Sequence, residues 1–273
     1  MTEFVQITPE EFEKMAVEIV EEAQKKGIIL RILGALAIYI HSNHCLECRE
    51  KYKTIERLGK DKPIFTDLDL MGYSSQANLI KNFFEMDLKY LPDNYVNALF
   101  SSRRNIYIHP DKIFHVDVFY DTLQFSHDVK FGNKPNNRLE LDFPTISLED
   151  IVLEKLQIHN INKKDLIDLI VLFLGHELSS KSEKERINKA YISQILSDDW
   201  GFWYDATNNL NKVLSLVDNF LNERKLRNDE ATMIKNRINE LLTAIDSYPK
   251  TKNWIKRSKK GISKIWYREV DEI

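Results

Sequence analysis

The residues with the clearest chemical potential are Asp67 and Asp69, in the stretch Phe65-Thr66-Asp67-Leu68-Asp69-Leu70-Met71-Gly72. Phe65, Leu68, Leu70 and Met71 are strand formers, and Gly72-Tyr73-Ser74 closes the run as a turn and helix cap. Side chains alternate along a strand, so the two aspartates share one face. Adjacent carboxylates repel and resist burial without a counter-charge. A hard divalent cation answers that demand, because it takes oxygen from one or two carboxylates and from phosphates. An edge strand with its polar face in water is the commoner cause of an Asp-x-Asp, so the pair needs support from elsewhere in the chain.

Asp117 is a third acid, set among apolar residues in Lys112–Phe119, with His115 and Phe119 on its face and Phe114, Val116 and Val118 on the other. An acid inside an apolar strand needs a partner. The preceding run, Arg104–His109, and this one read as a hairpin around Pro110-Asp111. Earlier, the apolar run Ile28–Leu33 leads into Gly34-Ala35 and a helix. A strand, a glycine turn and a helix start can present backbone amides to phosphate oxygens.

The elements around these residues follow from pattern. Thr8-Pro9-Glu10-Glu11 is a capping box that opens a helix closed by Lys25-Lys26-Gly27. A second core-facing helix is expected over Gln76–Tyr90, and a short strand over Arg138–Pro144. Beyond Ser147 helical patterning dominates, with later helices around 183–197, 208–222 and 228–246. The fold class is therefore α+β, with a small mixed sheet flanked by helices in residues 1–146. Residues 147–273 form a helical domain with a basic C-terminal segment.

Net charge is −3, so nucleic-acid contact has to be local. The segment Lys250–Lys264 offers such a place, with seven basic residues, no acids, and Trp254 among them. Lys252, Trp254, Lys256, Arg257, Lys259 and Lys260 suit RNA, while a solvated tail packed by its tryptophans is the other reading. His41, His44, Cys45 and Cys48 fall on one stripe of a single expected helix, which cannot wrap four ligands around zinc. A packing stripe is the expected role. Two cysteines argue against a disulfide framework and fit a reducing compartment. Met1–Phe4 lacks a signal-peptide pattern, and the apolar window Ile28–Ile40 is too short to span a bilayer, so no membrane contact and a cytoplasmic location are expected.

Gly34-Ala35 before Asp67 and Asp69, with Asp117 later, resembles the nucleotidyltransferase fold of the polymerase-beta superfamily. Lys155 followed by Asp165 and Asp168 is similar to the lysine and Asp-x-x-Asp motif of the AbiEii-like group, the toxins of type IV toxin–antitoxin pairs. The likeness spans about residues 28 to 175. It implies an Mg²⁺- or Mn²⁺-dependent enzyme moving a nucleotidyl group from an NTP to a hydroxyl of tRNA or protein, with a cognate antitoxin as partner. On that likeness Asp67, Asp69 and Asp117 hold the metal, and Gly34 and Ala35 approach the phosphates. Lys155 contacts the triphosphate, Asp165 and Asp168 position or deprotonate the acceptor, and Asp168 orients Lys155. The chain departs from the family in carrying Ala35 where glycine or serine is usual, which removes a hydroxyl and raises the prospect of a weakened enzyme. Two rival readings stay open, a nucleotidyltransferase of small molecules such as antibiotics and an inactive nucleotide-binding protein or antitoxin.

Overall fold

The computed structural model describes residues 7–59, 62–100 and 103–270. The Met1–Phe4 start lies outside them. In chain order the elements begin with α1 (Pro9–Lys25), β1 (Leu30–Ile32), α2 (Gly34–His41), α3 (Leu46–Thr54) and β2 (Asp67–Gly72). Then come α4 (Ala77–Asn82), which runs into a π turn at Phe83–Asp87, β3 (Leu91–Pro92), α5 (Asn94–Phe100), β4 (Arg104–Ile108) and β5 (His115–Tyr120). Two short strands, β6 (Thr122–Gln124) and β7 (Asp128–Lys130), precede α6 (Leu148–Leu156) and α7 (Lys163–Gly175). The chain continues through β8 (Glu177–Ser179), β9 (Arg186–Asn188), α8 (Lys189–Leu196), α9 (Trp200–Asn222), α10 (Asn228–Ser247) and α11 (Lys252–Ser258). The class is α+β with a small mixed sheet. Among the described residues, no helix is long and apolar enough to cross a membrane.

Two units divide the chain. The first comprises 1–40, 58–123 and 130–147, and the second 41–57, 124–129 and 148–273. The expected boundary lies between residues 146 and 147; one division here falls between 147 and 148, and 41–57 and 124–129 also belong to the second unit.

The first unit is built on a five-stranded sheet in the order β1-β2-β5-β4-β3. β2 pairs parallel with β5, and the β1–β2, β4–β5 and β3–β4 pairs are antiparallel. The parallel register sets Leu68 beside Val116, Asp69 beside Asp117 and Leu70 beside Val118. Alternation then sends Leu68, Leu70, Val116 and Val118 into the interior, where each is fully buried. Phe12 of α1 helps cover the apolar side, its ring 5.0 Å from Phe114 and 5.6 Å from Phe65.

The expected strand over Arg138–Pro144 is not one: Arg138–Glu140 is a 3-10 turn, and only Thr145 bridges to Ile32 of β1. Side-chain hydrogen bonds hold the turn in place of a ladder. Glu140 accepts from the Asn136 amide at 2.6 Å and from the Tyr73 hydroxyl at 2.5 Å, while Leu139 N–H donates to the same hydroxyl at 3.1 Å. The buried Arg31 guanidinium donates to the Asp142 carbonyl at 2.7 Å and lies over the Phe143 ring. Burial lowers the Arg31 pKa, and Glu140 partly offsets the drop.

The second unit is helical, with the small parallel β8–β9 pair, absent from the sequence reading, beside its helices. Asn162, Asn188 and Asp199 cap α7, α8 and α9 through side-chain oxygens. Asn209 donates to the Leu156 and Ile158 carbonyls, and Arg237 to those of Phe173 and Leu174, so the ends of α6 and α7 are satisfied from α9 and α10.

Near the start of this unit the expected single helix over 36–48 breaks. After α2 a 3-10 turn covers Ser42–His44, and Cys45 becomes the cap of α3 and is disulfide-bonded to Cys48. The packing stripe of His41, His44, Cys45 and Cys48 therefore does not exist as one helix face. The disulfide also corrects the expectation of two reduced cysteines: a three-residue spacing across a helix N-terminus brings their Cα atoms to 5.3 Å, within reach of a bond.

Candidate active site and buried charge cluster

Asp67 and Asp69 lie on β2 and Asp117 on β5, on the sheet face opposite the buried Leu and Val residues. One carboxylate oxygen from each falls within 4.8 Å of the others. Exposure grades across the group, from open Asp67 through partly covered Asp69 to Asp117 at 7%. A cluster of oxygen donors open on one side and buried on the other is suited to a hard divalent ion.

Gly34 closes against this group. Its φ is +74°, and a Cβ added there would stand 3.1 Å from Asp69 Oδ2. The left-handed backbone and the close approach both require glycine at this strand-to-helix turn. Leu33 N–H donates to the Asp69 carbonyl at 3.1 Å, which fixes the turn beside β2. Ala35 follows in the first turn of α2.

Arg104 is the site residue that sequence reasoning missed. It donates to both Asp117 oxygens, Nε to Oδ1 at 3.0 Å and Nη2 to Oδ2 at 2.7 Å. The antiparallel register pairs Asp117 with Ile106, so Arg104, two residues away on β4, projects from the same face. Once the hairpin was recognised, that alternation was the available signal. Burial raises the Asp117 pKa, more than the Arg104 hydrogen bonds and charge lower it, and Asp67 pushes it further up. Burial alone would lower the Arg104 pKa, but Asp117 and then Asp69 and Asp67 hold it above its ordinary value. The guanidinium stands where a metal cation would otherwise supply the counter-charge.

Lys155, Asp165 and Asp168 come together in the second unit. Lys155 Nζ lies 2.9 Å from Asp165 Oδ1, 3.0 Å from Asp168 Oδ2 and 3.6 Å from Glu154 Oε1. Arg57 donates to both Asp168 oxygens, at 2.6 and 2.9 Å. Lys155, Asp165 and Asp168 are each buried. Lys155 is thus not presented to solvent, and a phosphate would reach it only by displacing a carboxylate. Burial works against the charge on Lys155, yet Asp165, Asp168 and Glu154 hold its pKa well above the ordinary value. Asp168 likewise pays for burial, but Lys155 and Arg57 hold its pKa below the usual carboxylate range.

The basic C-terminal segment uses its aromatics internally. The Trp254 ring meets Trp203 edge-on, Trp266 Nε1 donates to Asp205 at 3.1 Å, and Arg257 lies over Trp200 and donates to the Gly261 and Lys264 carbonyls. Trp254 is held against protein, as in the packed-tail reading of this segment. Lys252, Lys256, Lys259 and Lys260 are exposed and keep only a charge-based contact open.

Comparison with known protein families, curated proteins and solved structures finds no match.

Two outcomes follow from these charge arrangements. Arg104→Gln leaves buried Asp117 without its cation, and should cost about 1–3 kcal/mol without metal, as for an uncompensated polar group. Added Mg²⁺ should then raise the melting temperature of the variant more than that of the parent, and equal Mg²⁺ responses would dissociate Asp117 from metal binding. Asp168→Asn should cost about 3–5 kcal/mol at pH 7, as when one partner of a buried ion pair is removed. A depressed carboxyl stabilises above its unfolded pKa of about 3.9 and loses that contribution as pH falls through the lower folded value. Urea unfolding should therefore show the gap between parent and variant narrowing in strong acid. The raised Lys155 pKa contributes below its unfolded value, and that part is lost only as pH rises through the folded value, so neutral pH leaves the cluster intact.

Proposed function

We propose that the first unit carries a divalent-metal-dependent nucleotidyltransferase centre acting from an NTP onto a hydroxyl acceptor. The observation that carries this reading is the convergence of Asp67, Asp69 and Asp117 to within 4.8 Å, with Gly34 closed against Asp69. The donor set fits Mg²⁺ or Mn²⁺, being all carboxylate oxygen with one side open for phosphate and water. A bound ion of that kind supplies charge neutralisation on the phosphates and a template for in-line displacement.

The chain's own residues divide the remaining work. Asp67 and Asp69, fixed by the β2 pleat, would hold a divalent ion. Asp117 would complete the set from β5 on being released from Arg104 or shared with it. The Gly34 turn, by lacking a Cβ, lets the backbone approach Asp69 closely. Phosphoryl chemistry asks for little more than such positioning and electrostatics. Lys155, Asp165 and Asp168 are held in their own ion cluster in the second unit.

The inactive, nucleotide-binding alternative is favoured by one specific observation, the occupation of both Asp117 oxygens by Arg104. Incubating the protein with labelled NTPs, Mg²⁺ and either RNA or protein extract separates the two. Transfer of label is expected, and Asp67→Asn and Asp69→Asn should each lower it by at least about 10²-fold, the scale for removing one electrostatic stabiliser. Metal-dependent NTP binding without transfer would select the inactive reading. Full activity in either variant would remove both aspartates from the site.

A further inference from the structure

In the second unit a different set of side chains converges. His44, in the 3-10 turn before α3, His176, at the C-terminal cap of α7, and Glu185, in the loop between β8 and β9, bring one ligand atom each to within 4.8 Å. His176 is fully buried, and its Nε2 has no hydrogen-bond partner. Its Nδ1 lies 3.2 Å from the Glu185 carbonyl oxygen. The same Nδ1 stands 3.7 Å from Glu185 Oε2. A carbonyl oxygen can only accept, so Nδ1 carries the ring proton and Nε2 is left as a buried lone pair without a partner. Burial first, then neighbouring His41, holds the His176 pKa down to about 4, which keeps that ring neutral.

An orphaned buried lone pair is costly unless a ligand takes it up. Metal-ligating histidines have this arrangement, with the far nitrogen fixed by a carbonyl or carboxylate. The Glu185 carboxylate is oriented in a comparable way by His41, whose Nδ1 stands 3.1 Å from Oε2. His44 Nδ1 and Nε2 lie 2.9 and 3.1 Å from the carbonyl oxygens of His41 and Gly175, so this exposed ring has to turn away from one of them to ligate an ion.

We propose that His44, His176 and Glu185 form a binding site for a divalent transition-metal ion, Zn²⁺ by the chemistry of its donors, which ties the turn before α3 to the loop before β9. Two imidazoles and one carboxylate suit zinc and leave a fourth position for water. The nitrogen donors distinguish this site from the all-oxygen centre of the first unit, which suits magnesium. The Glu185 side chain, 35% exposed, has the freedom to close on an ion.

The test uses the full chain with the Cys45–Cys48 bond intact, stripped by chelator and titrated with Zn²⁺ in excess Mg²⁺, in an Asp69→Asn background. One Zn²⁺ per chain is expected, with a melting temperature that rises with Zn²⁺ concentration. Cobalt(II) substitution should give the visible spectrum of a four-coordinate nitrogen–oxygen site. His44→Ala, at an exposed position, and Glu185→Gln should each weaken Zn²⁺ binding by at least about 100-fold, beyond the effect of losing an outer partner. Both variants should fold without metal, so the result does not depend on the more disruptive His176→Ala. Unchanged Zn²⁺ affinity in both variants would overturn the proposal. Binding that is present in the parent but lost on Asp69→Asn would overturn it too, by assigning the ion to the acidic centre.

Discussion

Asp69 and Asp117 stand directly opposite each other on parallel strands, an arrangement in which like charges oppose pairing. The strands are held by what lies on their other face, where Leu68, Leu70, Val116 and Val118 are sealed from water. Slipping β2 by one residue would relieve the carboxylates and expose the aliphatic set, so hydrophobic burial fixes the register against electrostatics. The neighbouring features answer the repulsion that results. Arg104 reaches in from β4, Asp67 stays in water, and Gly34 leaves room beside Asp69.

The second unit handles charge differently. Its ion cluster is sealed, and each charge is compensated by another side chain rather than by solvent. Replacing such clusters with apolar residues is often neutral or stabilising in proteins, whereas breaking one partner is not. Lys155, Arg57, Asp165 and Asp168 therefore constrain one another more than they stabilise the unit.

The strand placement of each acid could be read from sequence because it is local, whereas the parallel β2–β5 register that sets Asp117 beside Asp69 is not local. Period-two alternation put Asp67 and Asp69 on one face, and the hairpin around Pro110-Asp111 placed Asp117 mid-strand. Arg104 required the β4–β5 register in addition. The turn over Arg138–Glu140 was misread as a strand because its alternating apolar residues satisfy that pattern, while its stabilising partners, Tyr73 and Arg31, are remote in sequence. The helix over 36–48 was overextended for the opposite reason. His41, His44, Cys45 and Cys48 have helical spacing, but the turn at Ser42–His44 redirects them, and His176 and Glu185 lie more than a hundred residues away. Periodicity carries no information about such partners.

Arg57 is made early, and the carboxylate that it grips, Asp168, follows 111 residues later. Between them the ribosome delivers every strand of the main sheet after β1. The α3 segment therefore waits through the synthesis of the first unit before the helices that complete its own unit exist. Closing so long a loop is slow relative to local pairing, so the order of emergence from the ribosome favours the sheet as the earlier structure. The same stitching means that a fragment starting at residue 148 begins life without Arg57, with Asp168 left to Lys155 alone.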